Sequence, residues 1–167
     1  MTSTGIHVFA GRGGITPKRA KQLAAHGVAG VVLCAESVDG KWLATESQAE
    51  RWGDACASAG LVASVYSFPG LARIDEPRAV AEHAARITRA AGGRVCMADI
   101  EAPFHGRPER LEAMLSEFVY ACSEELALDV AVTTLGLPLS PGRFPWAVLT
   151  QWLQAHPSVA LAWQCYE

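Results

Sequence analysis

The stretch EPRAVAEHAARITRAAGGRVCMADI, from Glu76 to Ile100, decides the fold of this 167-residue chain. A proline near its start favours a first helical turn, apolar residues follow at helical spacing as far as Ala91, and Gly92 ends the pattern. The apolar run Arg94–Ile100 comes next and is typical of a buried strand. A helix joined to a buried strand is the unit from which parallel sheets are built.

The same unit recurs along the whole chain. Six apolar runs are separated by Ala- and Leu-rich segments, and successive runs start roughly 30 residues apart. The predicted strands are Gly5–Ala10, Val28–Ala35, Leu61–Tyr66, Arg94–Ile100, Leu128–Thr134 and Ser158–Tyr166. The predicted helices are Lys18–His26, Thr45–Ala59, Glu76–Ala91, Pro108–Leu126 and Pro145–Ala155. We therefore expect residues 1–167 to form a single α/β domain with a parallel sheet covered by helices.

The strand ends distinguish the two architectures that fit this pattern. An open doubly wound sheet gathers its site where the strand order reverses, whereas a (β/α) barrel gathers it from the carboxyl ends of most strands. Polar residues lie near the end of nearly every predicted strand, namely His7, Glu36, Tyr66, Asp99, Thr133 and Gln164. The sequence thus predicts a parallel (β/α) barrel of the TIM type. We expect it to be incomplete, because eight such units make the usual barrel of about 250 residues.

Composition and charge exclude several classes of protein. Half of the residues are hydrophobic, 19% are charged and the net charge is −3. Neither a disordered chain nor a polyanion-binding protein has this composition, so we predict no nucleic-acid partner. The apolar runs are far shorter than the roughly 20 residues of a membrane span, and the first residues lack the basic stretch of a Sec signal peptide. We predict neither a membrane span nor a Sec signal peptide.

The cysteine pattern indicates neither disulfides nor a zinc site. The five residues are odd in number and form no CxxC or short Cys and His spacing; they are Cys34, Cys56, Cys96, Cys122 and Cys165. Reduced thiols are therefore the expectation. Cys34 and Cys96 lie within apolar runs, where cysteine behaves as a small hydrophobic residue, so we expect both in the core. No metal and no cofactor are predicted.

The sharpest candidate site is a pair of acidic residues at the end of one predicted strand. Asp99 and Glu101 are two residues apart, so their side chains share one face of the strand. In a barrel mouth, crowding would separate their pKa values and leave one proton donor and one anion, as glycoside hydrolysis requires. The alternative is a pair at a loop edge that caps the next helix or binds an arginine such as Arg107.

Other residues at the predicted strand ends are candidate substrate-binding groups. They are His7, Glu36, Tyr66, Thr133, Gln164 and Tyr166. A strand histidine such as His7 also serves as a core or lining residue, and Glu36 is equally a solvated loop acid. Aromatic residues near strand ends, such as Phe104, suit the stacking of sugar rings. Trp146 is another, but with Trp152 six residues further on the same helix it is more typical of packing. The glycines of the segment 11–14 match neither GxGxxG nor GxxxxGK(S/T), the two spacings of phosphate-binding loops.

Three segments resemble a known family. Gly5-Ile6-His7-Val8, Asp99-Ile100-Glu101 and Trp163-Gln164-Cys165-Tyr166 are similar to segments of the lysozyme-type glycoside hydrolases of family 25 and of related barrel proteins in bacteria and phages. The resemblance covers most of the chain in order. It implies that Glu101 is the general acid, that Asp99 is a stabilising or nucleophilic carboxylate, and that peptidoglycan or a related amino-sugar polymer is the substrate.

Two departures from that family leave three hypotheses open. Family members commonly carry Asp where this chain has His7, and histidine cannot supply the same negative charge. The chain also has six strand–helix units where a TIM-type barrel has eight. It is therefore expected to be a fragment, a barrel that another chain completes, or a reduced or open sheet. The leading hypothesis is a hydrolase of cell-wall glycan, and the alternative is an inactive glycan-binding or structural part of a phage-like assembly. In either case we expect a cytoplasmic or phage-associated protein. The third hypothesis is an open-sheet enzyme for a small phosphorylated or nucleotide substrate.

Overall fold

A computed structural model of the chain describes residues 5–11, 13–35, 37–38, 41–68, 75–100, 104, 106–125, 127–135 and 144–164. The strands are β1 (Ile6–Phe9), β2 (Val28–Cys34), β3 (Ser37–Val38), β4 (Lys41–Trp42), β5 (Val62–Ser67), β6 (Val95–Asp99), β7 (Asp129–Leu135) and β8 (Ala160–Gln164). The α-helices are α1 (Pro17–Ala25), α2 (Glu46–Ala57), α3 (Pro77–Ala90), α4 (Pro108–Val119) and α5 (Trp146–Ala155). A π-helix, Tyr120–Glu125, continues α4.

Six of these strands form one parallel sheet in which consecutive strands are neighbours. Its order is β1-β2-β5-β6-β7-β8, and a helix lies in the chain between each strand and the next. Because the strand order never reverses, the sheet lacks the switch point of a doubly wound fold. It is the curled sheet of an incomplete (β/α) barrel of the TIM type, as the sequence predicted. The doubly wound sheet of the third hypothesis is therefore wrong.

Alternate residues of each strand face the helices, and the others face the opposite side, which we call the inner face. On the helix side, Val31, Leu33 and Val65 are buried together with residues of α1 and α2. A second helix-side cluster contains Cys96, Val132 and side chains of α3, α4 and α5. Burial of one large aliphatic side chain contributes about 1.5–3 kcal/mol, so these two clusters hold the helices on the sheet.

The helix ends follow the capping signals in the sequence, with one exception. The Thr16 side chain accepts a hydrogen bond from the Arg19 amide at 3.3 Å, and Gly27 ends α1 with a φ of 78° that glycine adopts without steric cost. The helix predicted over Pro108–Leu126 instead stops being α-helical at Val119 and widens into the π-helix. Within the described parts of the chain, no helix combines the length and apolar character needed to cross a membrane.

A short hairpin that the sequence did not reveal follows β2. Its strands β3 and β4 are antiparallel and contain two residues each, which is too short for a periodic signal. The Trp42 indole stacks on the His83 imidazole of α3, with ring centroids 4.2 Å apart. This contact ties the hairpin to α3.

Candidate functional site

Two of the predicted site residues lie side by side on the inner face. Asp99 is the last residue of β6 and is in register with Thr133 of β7. The Ile100 amide donates a hydrogen bond to the Thr133 carbonyl oxygen at 2.9 Å, which fixes this register at the end of β6. The Asp99 side chain is only 6% exposed and that of Thr133 is 0% exposed. A carboxylate and a hydroxyl are thus neighbours, and only the carboxylate residue keeps a small exposure to solvent.

The Thr133 hydroxyl is the unusual member of this pair. Its oxygen is buried and has no hydrogen-bond partner among the described residues. Most buried hydroxyls are hydrogen-bonded, and one left unsatisfied costs about 1–3 kcal/mol. A threonine hydroxyl can donate one hydrogen bond and accept others. Thr133 therefore offers hydrogen bonds that a bound molecule could make.

Two aromatic rings lie on the same inner face. Phe9 ends β1 and makes an edge-to-face contact with Tyr66 of β5, with ring centroids 5.3 Å apart and an interplanar angle of 62°. Tyr66 is in register with Met97, which precedes Asp99 by two residues. From ordinary strand spacing and rise, the backbones of Tyr66 and Asp99 are diagonal neighbours roughly 8 Å apart. Phe9 is 40% exposed, so the ring is open to a ligand.

His7 lies on the inner face but away from Asp99 and Thr133. It is in register with Gly30, and Gly30 with Val62, four residues before Tyr66 in β5. A Cβ atom on Gly30 would lie 2.6 Å from the His7 ring, so the imidazole occupies the space that glycine leaves. Glycine inside a strand often marks such a close approach, a signal that our sequence reasoning missed. The structure does not bring His7 to Asp99.

The remaining predicted site residues are only partly visible. Glu101, Glu36 and Tyr166 lie outside the described residues, and Gln164 is described only by its backbone, in register with Leu135. Two aromatic residues near predicted strand ends do not line the site. The side chain of Phe104 is fully buried in the helix-side core, and Trp146 packs against the same cluster, so neither belongs to the inner face.

The described cysteines are core residues. Cys34, Cys56, Cys96 and Cys122 are buried and free of disulfides, while Cys165 lies outside the described residues. A hydrogen bond with Cys96, together with burial, raises the pKa of the Cys122 thiol, and burial raises the pKa of Cys56. Raised values keep both thiols protonated at neutral pH, which makes them poor nucleophiles. Across the described ranges, no three His, Cys, Asp or Glu side chains are grouped as metal ligands.

Comparison with known proteins identifies structures of similar fold. A sugar phosphate isomerase/epimerase from Parabacteroides distasonis is 12% identical with a TM-score of 0.62, and the match covers 98% of this chain and 69% of that one. A xylose isomerase domain protein from Planctomyces limnophilus is 13% identical with a TM-score of 0.56, and the match covers 95% of this chain and 62% of that one. No protein-family model and no curated protein matches the chain.

These comparisons correct the function expected from the sequence. The structural neighbours are barrels described as isomerases and epimerases, so the resemblance to lysozyme-type hydrolases of family 25 is wrong. Peptidoglycan hydrolysis with Glu101 as general acid and Asp99 as its partner is wrong with it, and the phage-like alternative gains no support. The error has a physical origin: TIM-type barrels of unrelated chemistry all carry polar residues at strand ends, so a short Asp-x-Glu motif does not identify a reaction.

Proposed function

We propose that the chain binds a small sugar or sugar phosphate at the carboxyl ends of β6 and β7 and isomerises it by proton transfer. One observation carries this proposal: the buried Asp99 carboxylate lies beside the Thr133 hydroxyl, which no described residue satisfies. Active sites of TIM-type barrels lie at this end of the sheet. The similar structures are described as a sugar phosphate isomerase/epimerase and a xylose isomerase domain protein, which supports sugars as the ligand class.

The proposed chemistry assigns a separate role to each of the two side chains. The Asp99 carboxylate removes the proton from the carbon next to the sugar carbonyl, and the C–H electron pair forms a carbon–carbon double bond. Negative charge then develops on the former carbonyl oxygen, to which the Thr133 hydroxyl donates a hydrogen bond. Asp99 exchanges the abstracted proton with solvent and donates one to the former carbonyl carbon, and the neighbouring hydroxyl proton moves to the former carbonyl oxygen. Aldose and ketose therefore interconvert without any net gain or loss of atoms.

A panel assay tests this proposal. The protein is incubated with pentoses, hexoses and their phosphates, and isomer formation is followed by NMR. We expect conversion of at least one sugar, and a loss of about 100-fold or more in Asp99→Asn, since general-base catalysis contributes that much. Asp129→Asn is the matched control, because Asp129 is an exposed carboxylate at the other end of β7. Conversion of no sugar, or equal rates in wild type and Asp99→Asn, would overturn the proposal.

A further inference from the structure

Phe9 is the more exposed ring of the aromatic pair on the inner face, although its neighbour in the sheet is buried. Phe9 is 40% exposed, whereas Val32, its partner in register on β2, is 1% exposed. Burial of a phenyl side chain is stabilising, and at Phe9 part of this stabilisation is not realised. A ligand lying against the ring would recover it.

The exposed ring is also held in a defined orientation. Its edge-to-face contact with Tyr66 is a kind of aromatic pairing that stabilises beyond burial alone. Tyr66 in turn is in register with Met97, so the pair continues across the inner face toward Asp99. A fixed surface binds a flat ligand with little loss of side-chain entropy.

We propose that Phe9 and Tyr66 form an aromatic wall that binds the ring of a cyclic pentose or hexose, so that the site prefers ring-form sugars to open-chain polyols. This inference rests on the proposed function, because the hydroxyl edge of the same sugar would face Asp99 and Thr133. The bound ring then opens to its carbonyl form before Asp99 removes the proton. A pyranose ring presents C–H groups on its faces and hydroxyls around its rim. An apolar wall with a few polar groups beside it matches that distribution, whereas an open-chain polyol has no flat apolar face.

Two five-carbon probes separate ring binding from hydroxyl binding. Methyl β-D-xylopyranoside is locked as a ring, and xylitol is its open-chain counterpart; neither can be isomerised. Titration of isotope-labelled protein by NMR gives both dissociation constants. We expect the wild type to bind the pyranoside about fivefold more tightly than xylitol, from the strength of one aromatic contact. Phe9→Ala should lower that ratio to about one.

Matched variants keep the experiment decisive. Ile6→Ala removes another exposed apolar side chain of β1, 68% exposed in the wild type, and should retain the fivefold ratio. Phe9→Leu retains apolar bulk without an aromatic face, so it should lower the ratio even if Phe9→Ala fails to fold. Equal binding of both probes by the wild type, or an unchanged ratio in a folded Phe9 variant, would overturn the aromatic wall.

The outcome is independent of the isomerase assay. Sugar conversion without ring preference would leave the proposed function standing and remove the aromatic wall. Ring preference that depends on Phe9, without conversion of any sugar, would support the wall and remove the isomerase function.

Discussion

Asp99 and Thr133 are in register across β6 and β7, a buried carboxylate beside a buried hydroxyl that lacks a hydrogen-bond partner among the described residues. In a core that arrangement only costs stability, because a desolvated hydroxyl gives up its bonds to water. At a binding site the same cost is recovered when a ligand supplies the missing bond. Stability and ligand binding should therefore respond in opposite directions to changes at Thr133.

Replacing Thr133 by valine tests that opposition. Thr133→Val removes the unsatisfied hydroxyl while keeping the shape, so we expect the free energy of unfolding to rise by about 1 kcal/mol. Sugar binding should weaken about tenfold, since one hydrogen bond is lost. Urea unfolding and NMR titration measure the two effects, and Thr133→Ser, which retains the hydroxyl, should keep the binding. A valine variant that is less stable than the wild type would show that the hydroxyl serves the fold.

Gly30 should tolerate no side chain. In Gly30→Ala the new Cβ would lie 2.6 Å from the His7 ring and 2.8 Å from the Val62 carbonyl oxygen. Such overpacking costs about 1–3 kcal/mol, measurable by urea unfolding. Gly11→Ala is the control, because among the described residues no atom beyond its chain neighbours lies within 4 Å of its Cβ position. We expect His7→Ala to relieve part of the loss in the double variant. Equal stability of both single alanine variants would contradict the packing of His7 over Gly30.

Stability should fall in alkaline solution because of the buried thiols. The pKa of Cys122 is raised above its ordinary value of 9.0 by its hydrogen bond with Cys96 and by burial. The unfolded chain therefore loses this proton first as the pH rises, and ionisation favours the unfolded state. The contribution is complete below about pH 9 and declines above it by about 1.4 kcal/mol per pH unit. Urea unfolding between pH 7.5 and 10.5 should show a shallower decline in Cys122→Ala than in the wild type.

Phe104 and Phe9 should differ sharply in their effect on stability. Phe104 is fully buried in the helix-side core, so Phe104→Ala should lower the free energy of unfolding by about 3–5 kcal/mol. Phe9→Ala should cost well under half as much, because the Phe9 ring is 40% exposed. Equal losses in urea unfolding would contradict the assignment of Phe104 to the core and of Phe9 to the inner face.

The fold could be predicted because its signals are local. Pro77 begins α3, Gly92 follows its end, and β6 comes next. Similar proline and glycine signals recur along the chain. The hairpin at Trp42 and the π-helix could not be predicted, because two-residue strands and a single wide turn leave no periodic pattern.

The candidate site could be predicted only in part. Strand-end polarity pointed to Asp99 and Thr133, and the register brings these two residues together. The same reasoning included His7. Which residues of the neighbouring strands lie beside a given strand residue depends on how the strands pair, and β1 shifts its register between Ile6 and His7. The Asp99-x-Glu101 motif suggested a hydrolase because polar strand ends are common to barrels of unrelated chemistry.

Deuterium exchange from solvent tests the central claim most directly. A sugar or sugar phosphate that the protein converts is incubated with it in D2O, and deuterium at the carbon beside the carbonyl is measured by NMR. We expect the wild type and Asp129→Asn to incorporate deuterium, and Asp99→Asn to lose that ability by about 100-fold or more. Undiminished incorporation by a folded Asp99→Asn variant would contradict the role of Asp99 as the base.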